Sequence, residues 1–276
     1  MSSTQSIPKL LHRLSTTCLH QSPPSSSFVL PLLVSTTCGQ SKQWLKHVYE
    51  FATLSCSSSS SSISLTDIQQ QMKEALLKAS ILIGVPKTIE ARLELETLIQ
   101  QNEKESFNAN VDNNNDNNKN KREENFARSH LKEFKTLKQT GQQGLQTIYQ
   151  KDIDSIFDMM TSKNMKDIIW LSQHVTYGIF LTPFVKQLDE QDKDSLSFDQ
   201  RMLSIVTLSC LIPQRTEREI LWHLRGALRR GMTRDEVELV HEAIAQICQV
   251  CGVENVRHGM PSIKDVSRQE EEENDE

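Results

Sequence analysis

The sequence predicts an all-α fold, on three observations. Apolar residues recur at three- and four-residue spacing along most of the chain, no segment sustains the period-two alternation of a half-buried strand, and the helical patterns are cleanly punctuated. The punctuation is sharpest between Thr216 and Gly252, where two amphipathic patterns end at Gly231 and Gly252 and each opens on a Thr followed three residues later by Glu. Thr216/Glu219 and Thr233/Glu236 therefore read as capping boxes, and the two glycines as left-handed C-terminal residues.

Composition narrows the class. Of 276 residues 37% are apolar, a low share for a chain packed throughout, so part of it is expected to lie outside the core. A net charge of −5, with basic and acidic residues mixed along the helices, gives no field for nucleic acid. No apolar run approaches the roughly 18 residues that cross a bilayer; FVLPLLV at 28–34 is typical. Six cysteines without a paired framework or secretory signal point to free thiols in a reducing compartment.

Taken in order, residues 1–25 form a polar lead. It contains a short amphipathic stretch, IPKLLHRL, and no acidic residue precedes Glu50, a composition that suits a mitochondrial transit peptide as well as a polar lead-in to the first helix, so the expected compartment is mitochondrial or cytoplasmic. Packing is expected to begin near Phe28, and a first helical half-unit covers 26–101. Within it lie an apolar helix at 28–36, a helix from Ser41 to Leu54, and a helix opened by Thr66/Gln69 and stopped by Gly84 and Pro86, with a serine tract at 57–62 between the last two. A further helix spans 89–99. Residues 102–125 are asparagine-rich and predict a disordered insertion, because so few apolar groups cannot offset the entropy of ordering. A second half-unit occupies 126–266, with helices at 165–181 and 199–211 ahead of the Thr216–Gly252 pair, and 267–276 is an acidic tail.

The halves share their punctuation. An apolar helix (FVLPLLVST or MLSIVTLSC) precedes an amphipathic one (Ser41–Ala52 or Thr216–Ala227), then a Thr-opened helix ends at Gly84 or Gly252. We expect two related units, each covering the other's apolar face.

Candidate chemistry is sparse. His223 lies one turn after Glu219, the spacing at which a carboxylate can hold an imidazole for proton transfer; packing is the competing role. Cys248 and Cys251 form a C-x-x-C in the last turn of their helix, where the dipole disfavours a thiolate, so buried apolar cysteines are expected. Arg225, Arg229 and Arg230 complement their helix dipole, or bind an anion. Trp170, His174 and Tyr177 form an aromatic cluster. Phosphate loops, zinc-protease motifs and nucleophile elbows are missing, and no cofactor or metal is indicated.

From His223 through Gly226-Ala227, Gly231, Thr233, Glu236-Val237 to Cys251-Gly252-Val253, the chain resembles the carboxymuconolactone decarboxylase and alkylhydroperoxidase D-like family. Ile83-Gly84-Val85-Pro86 repeats the ending, and Gly144, Ile148-Tyr149, Trp170 and Tyr177-Gly178 resemble the two-repeat fungal members. The resemblance covers about 28–262 and is densest at 199–262. It implies an all-α homo-oligomer acting on a small molecule, through lactone decarboxylation or peroxide reduction. Peroxidase members carry two cysteines ahead of the histidine, at positions that are Thr216 and Glu219 here, and a glutamate that falls at Met202. His223 and, through its spacing, Glu219 are the candidate catalytic residues. A non-catalytic oligomeric scaffold is the other class.

Overall fold

A computed structural model describes residues 6–58, 64–109, 134–181 and 198–266. These form helices and turns, with no strand among the described residues. The expected serine loop beyond Ser58, most of the asparagine-rich insertion and the acidic tail lie outside them.

The core is built on two helices that are apolar almost all round, α2 (Ser26–Thr37) and α9 (Gln200–Gln214), packed on each other. A helix without a polar face is stable only when covered on every side. Several of the buried hydroxyls are satisfied locally: Ser35, Thr36 and Thr37 each donate 2.7 Å to the carbonyl four residues back, as Thr207 does in α9, while the Ser26 and Ser209 hydroxyls have no hydrogen-bond partner among the described residues. Coverage comes from α3 (Ser41–Ser58), α4 (Leu65–Ile83), α5 (Val85–Ala109), α10 (Glu217–Arg229) and α11 (Arg234–Val250). The packing is reciprocal: α4 touches α9 while α11 touches α2.

The packed region starts earlier than Phe28. Helix α1 (Ile7–Thr17) buries Ile7, Leu10, Leu11 and Leu14, one stripe at helical spacing, against α3 and α11. The polar lead thus contributes a core helix, each of the four side chains supplying about 1.5–3 kcal/mol of burial. Helix α5 likewise runs beyond Ile99 into the asparagine-rich stretch, to Ala109.

Punctuation follows expectation at the C-termini and differs at the N-termini. Gly84, Gly231 and Gly252 have φ of +91°, +86° and +82°. The box opening α4 is Ser64/Asp67 in place of Thr66/Gln69: Asp67 N donates 3.1 Å to Ser64 Oγ, and Ser64 N donates 3.1 Å to Asp67. Thr233 caps α11 by accepting from Glu236 N at 3.1 Å, but the buried Glu236 carboxylate turns to Arg201, 2.6 Å away. Thr216 makes no capping bond; its hydroxyl points back to Leu211 O at 3.5 Å.

A second layer rests beside this core. Helix α6 (Phe134–Tyr149) packs along a π-helix, Ser172–Phe180, reached through α7 (Asp152–Ser162) and α8 (Lys166–Leu171). Gly141 and Gly178 set their approach, because a Cβ on either would lie within 3 Å of the other element's backbone. Leu145, Ile148, Tyr149, Tyr177 and Leu181 make a small cluster of their own, closed by Leu82 and Trp222.

Buried histidines tie the fold to pH. His241 is 1% exposed with neither ring nitrogen hydrogen-bonded, and burial lowers its pKa to about 4. Burial, then the charge of Arg230, lowers that of His223 to about 3. Both must charge on unfolding below their ordinary value of about 6.5, so the unfolded chain binds more protons there and stability falls with acidification. The loss begins near pH 6.5 and runs to about 4 and 3, at up to about 1.4 kcal/mol per pH unit for each ring. Melting curves should therefore show a lower Tm at pH 5 than at pH 7.5, and His241→Phe should flatten that dependence; a pH-independent difference between variant and wild type would refute it.

Candidate functional site

His223 occupies a buried position of α10, 6% exposed, where α6 packs on the helix and Tyr177 of the π-helix reaches the ring. Gly226, three residues on, permits this closeness: a Cβ there would stand 2.7 Å from Ile148 Cγ2. Arg229 fastens the crossing from the same helix, donating 2.6 Å to Ile148 O and pairing with Asp152 at 3.4 Å. The end of α6 leaves its last carbonyls unpaired, and the guanidinium satisfies one of them.

This docking assembles a polar chain inside an apolar cluster. Tyr149 and Tyr177 hydroxyls are 3.3 Å apart, and Tyr177 OH is 3.3 Å from His223 Nε2. Tyr149 also meets the Trp222 ring edge-on at 5.7 Å and the His223 ring at 6.3 Å. Burial raises both phenols above their ordinary range, with the Tyr177 hydroxyl adding to the effect on Tyr149, so both stay protonated. The neutral imidazole can accept from Tyr177 while Tyr177 accepts from Tyr149, which gives the chain one consistent polarity.

Arg230 closes the group. It caps the C-terminus of α10, seven residues after His223. Its charge depresses the His223 pKa and is itself felt by both tyrosines. The residue is 6% exposed, its Nε is sealed from solvent without a hydrogen-bond partner, and no carboxylate pairs with the guanidinium among the described residues.

Glu219 does not join the site. It is exposed, and no hydrogen bond links it to His223. The i, i+4 spacing puts the two on one face, yet His223 is enclosed while Glu219 is exposed. Its charge reaches Tyr149 as a minor influence behind burial and Tyr177.

The cysteines gather elsewhere. Cys248 and Cys251 are buried, as expected, but Cys38 at the end of α2 brings its sulfur to 4.0 Å from that of Cys248. Donation to the Cys38 sulfur and burial push the Cys248 and Cys251 thiols up, whereas those two donors and the charge of Lys87 pull Cys38 down. Cys210 is separate, raised to about 12 by burial. Among the described residues no group of His, Cys, Asp or Glu is arranged to hold a metal ion, and no helix is long and apolar enough to cross a membrane.

Sequence spacing singles out His223, Tyr149 and Tyr177 separately and does not bring them together, and it gives Arg230 a helix-dipole role first. The i, i+7 relation of His223 and Arg230 was the available signal. His174, expected beside Tyr177, instead stacks on Trp170 at 4.9 Å and bonds to Trp170 O at 2.9 Å.

No protein-family profile matches the chain, and no solved structure matches it. It is similar to Peroxisomal protein 2 of Schizosaccharomyces pombe, 23% identical over 196 residues that cover 68% of this chain and 73% of the relative. That name gives a compartment for the relative and no activity.

Proposed function

We propose that the chain is an enzyme of the carboxymuconolactone decarboxylase-like, alkylhydroperoxidase D-like kind, a homo-oligomer that moves a proton on a small organic substrate at His223. The observation that carries this is the Tyr149–Tyr177–His223 chain, three titratable groups hydrogen-bonded in series inside an apolar cluster. A buried neutral imidazole backed by phenols can take a proton from a bound substrate and return it without exchange with bulk water. Glutamate assistance has no support from the position of Glu219, and the thiol pair of the peroxidase members has none from Thr216 and Glu219.

With a pKa of about 3 the imidazole is a weak base, lowered by burial and then by the charge of Arg230, which has no carboxylate partner among the described residues. Proton transfer is most effective when the base lies near the working pH. A substrate that neutralises the nearby guanidinium and supplies polar contacts would bring it there.

Wild-type protein should exchange or release a substrate carbon-bound proton in heavy water when offered a panel of small lactones and unsaturated carboxylic acids, followed by NMR. His223→Gln should lose about 100-fold or more of that rate with its melting temperature kept. Inert wild type across the panel, or full activity in the variant, would overturn the proposal and leave a scaffold without chemistry.

A further inference from the structure

We propose that Cys38 and Cys248 are a modification site. Cys38 exchanges with a small organic disulfide, and Cys248 resolves the product into a protein disulfide that ties the end of α2 to α11. The pair stands apart from the His223 group, since its residues belong to α2 and α11 while His223 is carried by α10. Nor is it the thiol pair of the peroxidase members, whose positions hold Thr216 and Glu219 here.

Two helix ends meet at this place. Cys38 is the C-cap of α2 and Cys251 that of α11, with Cys248 one turn earlier, and α2 packs along α11. The packing brings the Cys38 sulfur to 4.0 Å from the Cys248 sulfur across 210 positions of sequence. A disulfide bond is about 2 Å long, so the two sulfurs must approach by roughly another 2 Å, which side-chain rotation can supply. Access differs between them: Cys38 is half-buried, whereas Cys248 is sealed at 0% exposure. A reagent from solution therefore meets Cys38 first.

A helix C-terminus disfavours a thiolate, because its free carbonyls present negative charge. Lys87 offsets this at Cys38: its ammonium donates 2.6 Å to the carbonyl of Thr37, the residue immediately before. Donation from Cys248 and Cys251, with the Lys87 charge behind it, holds the Cys38 thiol below its ordinary range, and donation to Cys38 is the largest cause that pushes Cys248 up. The thiolate is the attacking species. In the first step Cys38 Sγ attacks one sulfur of the small disulfide, the S–S bond of the reagent breaks, and one small thiolate leaves to take a proton from water. Cys38 in the mixed disulfide is no longer a thiolate, so the main cause that held Cys248 protonated is gone. In the second step Cys248 releases its proton to water, its sulfur attacks Cys38 Sγ, and the second small thiolate leaves and is protonated. Two protein thiols lose two electrons, and one small disulfide gains them to become two thiols.

The test is incubation of the reduced full chain with excess oxidised glutathione at pH 7.5, followed by peptide mapping under non-reducing conditions and by melting curves. Cys38 should react at least ten times faster than the buried Cys18 and Cys210, and a linked Cys38–Cys248 peptide should accumulate in wild type. Cys248→Ala should stop with glutathione on Cys38, and Cys38→Ala should leave Cys248 unmodified. Oxidised wild type should melt above the reduced form by on the order of 5 °C, a gain that dithiothreitol reverses, because a cross-link over so long a loop restricts the unfolded chain. Four results on wild type would each overturn the assignment: Cys38 reacting no faster than Cys18 and Cys210, glutathione remaining on Cys38 without a cross-link, pairing of Cys38 with Cys251, or an oxidised form that melts at or below the reduced one. All four are read without a substitution, so a poorly folding variant does not shield the assignment.

Discussion

Gly141→Ala is expected to be the most damaging single methyl group that can be added to this protein. A Cβ at 141 would stand 1.7 Å from Gln173 O and 2.7 Å from Gln173 C, and the contact is with backbone, which cannot rotate aside. On the facing element a Cβ at Gly178 would meet Leu137 O at 2.8 Å, so neither side offers slack. Overpacking usually costs 1–3 kcal/mol, and this case belongs at the top of that range, about 3 kcal/mol. For a chain of this size that is a fall in Tm on the order of 6–12 °C. The near-ultraviolet signal of the paired tyrosines should change with it, because the crossing is what brings Tyr177 to Tyr149. Gly226→Ala is the control: its Cβ meets the Ile148 side chain, which can shift, so a loss of about 1 kcal/mol is expected. Equal melting temperatures for the two variants would show that α6 and the π-helix are not held at the spacing described.

Glu74→Ala is the second large effect. Lys78 is fully buried and its ammonium rests between Glu74 at 3.2 Å and Phe180 O at 2.9 Å, above the Phe198 ring. Removing the carboxylate takes away the negative charge beside a buried ammonium, a loss of about 3–5 kcal/mol in denaturant titrations. The double variant Glu74→Ala/Lys78→Met takes away both charges and keeps the apolar stem, so it should recover most of that stability despite carrying one more change. If the losses of the single variants simply add in the double one, the two groups are not energetically coupled.

Helix limits were legible wherever one residue settles them: Gly84, Gly231 and Gly252 take positive φ, and Thr233 caps its helix. Legibility failed where two local solutions competed. Ser64/Asp67 and Thr66/Gln69 are both credible openings of α4, and the chain uses the earlier one. Glu236 could have closed a capping box, yet the Arg201 guanidinium offers its buried carboxylate more than a backbone amide does. Helix α1 was judged by its polar surroundings, when its four-residue stripe was the informative part. At the site, His223 was readable from its motif, but its partners arrive from α6 and the π-helix through a backbone contact between two glycines, which no spacing within α10 encodes. Glu219 misled for the same reason: spacing gives a face, and only the neighbouring helix decides where that face stops being covered.

The division of the apolar interior into two clusters bears on how a ligand would enter. The larger one runs without interruption from Ile7 to Val266, so α1, α2, α9 and α11 must come apart together or not at all. The smaller one, around Tyr149 and Tyr177, leans on it through α10 and α4. Separating α6 and the π-helix from α10 gives up the contacts of that smaller cluster together with the Arg229 bonds to Ile148 O and Asp152, an opening whose free energy lies below that of global unfolding. Sealed side chains such as His223 and Arg230 are then reachable by breathing of one layer while the rest of the molecule stays folded, and the rate of that breathing sets an upper limit on how fast the site can fill and empty.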